Sequence, residues 1–322
     1  RGCVLAQRPF FGAARLLDFA PDLAAPPGEL TAGSAALAAW GWTFPDAINA
    51  LGRLFDEMSE PGTKGQGQFD AILAGLREDP EGPRVDLRRD LFPHLGPGVL
   101  QVTDMLGQRD SRNPHGRRVL FVLQCRDPAK VIATLTRFYQ GDDEVKHELL
   151  AGQPFWTIGP GRSLLIEGSG SIFDFARALI VTKENVLIAS DPEMLRSRMS
   201  PAAVKPGERE THESLGRWRK LHDGRTPCFL GLVRLPVWLE NSYEAVRTNA
   251  PEQDDAWETP MLRFLLTGSW SRRSGFPAEK LPPFGEIRDA LPCLGASLSR
   301  TAAGFDLDVG FLTTSQATTN EK

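Results

Sequence analysis

Apolar residues recur along this chain in two periods, one near 3.6 and one near 2, and the switches between them mark helices and strands. Ala35 to Trp42 is a short apolar stretch that reads as a strand. Pro45 suits the first turn of a helix, where no N–H is needed. Ile48, Leu51, Leu54, Phe55 and Met58 then fall on one helical face, and Pro61-Gly62 ends it. Phe69, Ile72, Leu73 and Leu76 predict a second helix, stopped by Asp79-Pro80 and Gly82-Pro83. Asp86 is placed to cap a third, short helix holding Leu87, Leu91 and Leu95. Gly96-Pro97-Gly98 reads as a turn, Val99 to Thr103 as a strand, and residues 107–117 as an exposed hairpin loop.

The pattern is clearest in the middle of the chain. Val119 to Cys125 is a strand, and Asp127-Pro128 supplies a cap and a first-turn proline. Val131, Ile132, Leu135, Phe138 and Tyr139 form the apolar stripe of the helix that follows, with Gly141 at its end. Phe155 to Ile158, Ser163 to Ile166, Ala178 to Val181 and Val186 to Ala189 read as strands, the last two joined by a Lys183-Glu184-Asn185 turn. Asp191-Pro192 then repeats the cap-and-proline start ahead of Leu195 and Met199.

The last hundred residues echo the first. Phe229-Leu230-Gly231-Leu232 followed by Leu235-Pro236 parallels Ala39-Trp40-Gly41-Trp42 followed by Phe44-Pro45. Ile287-Arg288-Asp289-Ala290 with Leu294-Gly295 parallels Arg88-Arg89-Asp90-Leu91 with Leu95-Gly96. The expected fold class is therefore α+β, with mixed or antiparallel sheets covered by helices and an internal duplication. The expected organisation is an irregular lead-in over 1–34, a first repeat half over 35–117, a central βαβ-type sheet unit over 118–200 and a second repeat half over 201–322.

Composition narrows the function classes. The 322 residues suffice for a sizeable core, and a net charge of −4 argues against a nucleic-acid surface. No run of 18 apolar residues is present, so no membrane span is expected. The first residue is Arg1, so the chain is expected to be a processed or truncated product, with any signal peptide upstream. Cys3, Cys125, Cys228 and Cys293 are far apart and form no C-x-x-C pair, which leaves no zinc, redox or disulfide framework.

Local chemistry is sparse. His94, His115, His147, His212 and His222 form no H-E-x-x-H or H-x-H spacing. Gly159-Pro160-Gly161-Arg162 lacks the Gly-Lys-Ser/Thr ending of a phosphate loop. Gly168-Ser169-Gly170-Ser171 allows either an anion at a following helix N-terminus or a plain connecting loop. Asp142-Asp143-Glu144, Glu208 with Glu210, and Asp254-Asp255 read as solvated surface. Trp40 and Trp42 share one side of their strand, and either line a stacking groove or seal the sheet against a helix. No catalytic, cofactor-binding or metal-ligating residue is nominated, and no cofactor is expected.

Several stretches taken together carry a resemblance. They are Phe69 to Leu95, with Glu78-Asp79-Pro80-Glu81-Gly82-Pro83 and Val85-Asp86-Leu87-Arg88-Arg89-Asp90-Leu91; the strand ending Arg126-Asp127-Pro128; Val186 to Pro192; and Leu281-Pro282-Pro283-Phe284. This set resembles a family of planctomycete proteins of unknown function that are expected to be exported. The resemblance spans roughly residues 35–312. It implies α+β repeats and an extracytoplasmic or periplasmic, envelope-associated life, and it carries no activity. The expected function is a non-enzymatic binding or scaffold domain of the bacterial envelope, with another protein or an envelope component as partner. Two alternatives stay open. One is a small-ligand binder using the cleft between the halves, marked by Trp40 or Trp42 lying exposed there. The other is a hydrolase whose residues converge from distant segments, with His94, His212 or His222 meeting a carboxylate, hydroxyl or thiol.

Overall fold

One antiparallel sheet of eleven strands organises the chain. The computed structural model describes residues 2–5, 34–59, 67–80, 82–106, 116–159, 176–199, 227–248, 258–268, 270, 280–301 and 304–312. The strands are β1 (Gly2–Leu5), β2 (Ala36–Gly41), β3 (Leu95–Met105), β4 (Arg117–Cys125), β5 (Val145–Leu150), β6 (Gln153–Ile158), β7 (Ala178–Val181), β8 (Asn185–Ala189), β9 (Pro227–Arg234), β10 (Cys293–Thr301) and β11 (Gly304–Leu312). Their order across the sheet is β1-β11-β10-β9-β2-β3-β4-β8-β7-β6-β5. The fold class is α+β, as the alternation of patterns predicts.

The helices are α1 (Phe44–Ser59), α2 (Gln68–Glu78), α3 (Leu87–Asp90), α4 (Pro128–Phe138), α5 (Pro192–Met199), α6 (Leu235–Trp238), α7 (Glu240–Arg247), α8 (Glu258–Thr267) and α9 (Phe284–Ile287). Their starts are set by local chemistry. The Asp86 carboxylate accepts from the Arg88 and Arg89 amides, that of Asp127 from Lys130, and that of Asp191 from Glu193. Each satisfies amide donors that a helix start leaves without a partner, a device that typically contributes about 1 kcal/mol. Asp56, in α1, reaches across to the Gly67 and Phe69 amides at 3.1 and 2.9 Å and so fixes where α2 begins. Gly52 is required by that contact, because a Cβ there would stand 2.5 Å from the Phe69 ring.

Both faces of the sheet are used. On β2, Leu37 and Ala39 point to one face and Ala36, Ala38 and Trp40 to the other. The Leu37 face continues through Leu100, Val102, Leu120, Val122, Leu187, Ile180 and Phe155, and α5 packs on it with Met194 and Leu195. The opposite face, on β3, β4, β8 and β7, packs Val99, Val186, Val181 and Ile188 with Phe92, Val131 and Leu135 of the first-half turn and α4.

The strand order is palindromic about β9 and β2, with β11-β10-β9 on one side and β2-β3-β4 on the other. Ala39 pairs with Leu230 at the centre. Leu100 lies opposite Ala39 and Ser297 opposite Leu230; Val122 and Asp308 follow one strand further out. Residues of the 118–200 stretch continue the same sheet beyond β4. β4, α4 and β5 form a crossover there, with β8, β7 and β6 between the two strands.

The structure differs from the sequence pattern in four places. Gly2–Leu5 is a strand paired with β11, although the surrounding 1–34 reads as irregular. The helix expected to hold Leu87, Leu91 and Leu95 stops after one turn; a 3-10 turn over Phe92–His94 with Pro93 follows, and Leu95 already belongs to β3. A register shift between Leu95 and Val99 absorbs the Gly96-Pro97-Gly98 segment expected to be a turn. β5 shows no apolar alternation, because it is the edge strand and Lys146 through Leu149 are all exposed. The expected Ser163–Ile166 strand and most of the 107–117 loop lie outside the described residues.

Candidate functional site

A cleft of about 250 Å3 opens on the Ala38 face where the two halves of the palindrome meet. Its floor is made by small residues from three adjacent strands: Ala36 and Ala38 on β2, Gly231 on β9 and Ala296 on β10. Register puts them there. Val309, Ala296, Gly231, Ala38 and Gln101 form one cross-strand row, and Phe311, Leu294, Val233, Ala36 and Thr103 form the next. The Phe229 ring lies beside the floor, 3.3 Å from where a Gly231 Cβ would be, and Trp238 at the end of α6 also lines the cleft. Phe229 and Gly231 sit two apart on one side of β9, so the ring occupies the space the glycine leaves.

Gln101 and Thr103 line this cleft on its β3 side, and among the described residues no charged side chain lines it. Thr103 is only 4% exposed. Beyond the opposite end, the same rows run out to Val309, 50% exposed, and Phe311, 70% exposed.

Among the described residues, those that the sequence raised for chemistry do not line this cleft. Trp40 and Trp42 are half-buried, meet edge to face at 5.5 Å, and Trp40 also abuts Phe121 at 6.4 Å. They pack against the core rather than forming an exposed platform, and the aromatic residues at the cleft are Phe229 and Trp238. His94 sits in the turn before β3, where its backbone carbonyl accepts from the Arg126 amide at 2.8 Å. His147 is on β5 and stacks on Trp156 at 4.7 Å. His115, His212, His222, Glu208, Glu210, Asp254, Asp255 and Gly168–Ser171 lie outside the described residues. Among the described residues, no group of three His, Cys, Asp or Glu is placed to hold a metal. Asp142 caps its own turn, accepting from the Glu144 amide at 3.0 Å.

Cys125, Cys228 and Cys293 are buried, and burial pushes the first two above the ordinary thiol range. The Tyr139 hydroxyl is buried without a partner among the described residues, and burial raises it well above the usual phenol value.

Two polar networks are structural in form. On the Leu37 face, Arg198 of α5 holds Asp104 of β3 through both carboxylate oxygens at 2.8 and 2.9 Å, and Arg118 stands between Asp104 and Asp191. At the junction of α3 and α4, Asp90 accepts from Arg137 at 2.6 Å and from Arg89 at 2.8 Å, while its backbone carbonyl accepts from the Thr134 hydroxyl. The Arg89 hydrogen bond, opposed by burial, holds the Asp90 carboxyl below its usual range.

Among the described residues, no helix is long and apolar enough to cross a membrane. No protein-family model and no curated protein matches the sequence. Among solved structures, the chain is similar to crystal form I of TP0453, at 8% identity and a TM-score of 0.35, over 89% of this chain and 78% of that one. It is similar to crystal form III of TP0453 at 9% identity and a TM-score of 0.33, over 91% of this chain and 82% of that one.

Proposed function

We propose that this chain is a non-enzymatic binding domain of the bacterial envelope, and that it binds through the cleft and the apolar sheet face of its second half. The observation that carries this reading is the exposure of Val309 and Phe311 beside a cleft whose floor is Ala36, Ala38, Gly231 and Ala296. Clefts lined by apolar side chains with a few polar groups are the usual form of a ligand site. Large exposed apolar side chains in continuity with one mark a binding face more often than chance does. The envelope location rests on the family resemblance in the sequence. The same reading takes the two halves as related copies, which the matching element order supports.

The test is a titration with the uncharged dye Nile red. Saturable, blue-shifted emission at one dye per chain is expected, weakened at least fivefold by Val309→Asp, which places a charge at the rim. A folded protein that gives no saturable signal sinks the reading. Cell fractionation checks the location separately: recovery solely with cytosolic proteins would remove the envelope from it.

A further inference from the structure

We infer that the outer edge of β5 pairs with β5 of a second copy of this chain, antiparallel and about a two-fold axis at His147, joining the two sheets edge to edge. β5 ends the strand order, and Lys146 through Leu149 are all exposed, Leu149 at 71%. A strand edge carries a row of N–H and C=O groups ready to pair with another strand, and edges are commonly blunted by a proline, a bulge or a lone lysine. β5 holds no proline, and its register against β6 runs without a shift. Its one lysine, Lys146, is matched by Glu148 two positions on, on the same face.

The hydrogen-bond phase of β5 places the axis. The Gly159 amide donates to the Glu144 carbonyl at 2.9 Å, which makes these two a bonded pair at the start of the hairpin. Bonded pairs alternate along an antiparallel ladder. Lys146, Glu148 and Leu150 therefore turn their backbone groups to β6, and Val145, His147 and Leu149 turn theirs outward. The Ala151-Gly152 turn, with both residues at positive φ, closes the hairpin on Leu150 and Gln153 in the same phase. The Val145 amide is already engaged, donating to the Asp142 carbonyl at 3.1 Å. The outward groups that remain are the Val145 carbonyl and the amide and carbonyl of His147 and of Leu149.

A two-fold axis at His147 pairs these groups. Each His147 exchanges both backbone bonds with His147 of the second copy, and each Leu149 amide donates to the Val145 carbonyl opposite. The side chains match in the same register. On one face Val145 meets Leu149. On the other Lys146 meets Glu148 at a non-bonded pair, where side chains come closest and opposite charges are favoured. Arg196 of α5 contacts Glu148 at 3.0 Å and holds its carboxylate on that face. The His147 ring leaves the axis clear, because it stacks back on Trp156 of β6 at 4.7 Å. A strand that is its own complement in backbone, apolar and charged positions selects a second copy over an unrelated peptide.

Sedimentation equilibrium of the intact chain tests this. One strand pair is a small contact, so a reversible dimer with a dissociation constant on the order of 100 µM is expected, and no larger species, because a two-fold contact closes. Lys146→Glu sets like charges opposite each other in both facing pairs and is expected to weaken the dimer at least fivefold. Glu148→Lys does the same with the opposite sign. Mixing the two variants makes every facing pair opposite in charge, so the mixture is expected to associate more strongly than either variant alone. Leu149→Pro removes an outward N–H and spares the bonds to β6, and is expected to abolish the dimer with an unfolding midpoint close to that of the parent. A chain that stays monomeric at about 1 mM overturns the proposal. So does a dimer that Lys146→Glu and Leu149→Pro both leave at parent strength, growth beyond the dimer, or a mixture that associates no better than its components.

Discussion

The two halves of the palindrome solve one topology in two ways. In the first, the Ala38 face of β3 and β4 is closed: Val99 is 3% exposed and Cys125 8%, under Phe92, Val131 and Leu135. In the second, the positions that register makes equivalent to Leu123 and Cys125 are Val309 and Phe311, and these are 50% and 70% exposed. The opposite face differs in the other direction. Where the first half places Leu100 and Val122, the second places Ser297 and Asp308, all buried. Capping of the helices diverges as well. Asp90 is tied to Arg89, Arg137 and Thr134, whereas Asp289, its parallel in sequence, is exposed. A shared order of strands therefore does not impose a shared use. One half is closed on this face, and the other leaves Val309 and Phe311 exposed on it.

The largest expected effect separates the halves directly. Phe92→Ala removes a ring buried in the closed face and should destabilise the protein by about 3–5 kcal/mol in denaturant unfolding. Phe311→Ala removes the same side chain from the open face and should cost no more than about 0.5 kcal/mol. Equal costs would mean that the second-half face is packed and would break the comparison.

Next in size is the pair that fastens α5 to the first half. Asp104→Asn weakens the two-oxygen contact with Arg198, whose side chain is 8% exposed, and should cost about 3 kcal/mol. A loss within experimental error would show that this ion pair does not fasten α5.

A smaller effect depends on pH. Arg89 holds the Asp90 carboxyl below its usual range, so its contribution is complete above the ordinary aspartate value of about 3.9 and is lost as pH falls through the lower folded value. The unfolding midpoint of Asp90→Asn should therefore trail that of the parent near neutral pH and converge with it below about pH 3. A gap of constant size across that range would contradict the assignment.

Much of this architecture is legible in the sequence because it is local. The stripe from Val131 to Phe138 and the start at Asp127-Pro128 specify α4 within a few residues. The Lys183-Glu184-Asn185 turn specifies the β7–β8 hairpin, where Thr182 closes the turn by accepting from the Asn185 amide at 3.0 Å. The cleft was not legible for the opposite reason. Ala36, Ala38, Gly231 and Ala296 are unremarkable residues that become a floor only when β2, β9 and β10 pair in one register. The indole pair Trp40 and Trp42 drew attention as a platform, but Phe121 and the first-half core claim it. The polar run Val145–Leu150 hid an edge strand because both of its faces meet solvent.

The central claim, that the second half keeps a binding face while the first is closed, is tested most directly by mapping amide chemical-shift changes as Nile red is added to the labelled protein. The account predicts saturable shifts centred on Ala36, Ala38, Thr103, Gly231 and Ala296, with Val131, Leu135 and Val186 unmoved. Shifts centred on those first-half residues, or none at a dye concentration that saturates the fluorescence, would contradict it.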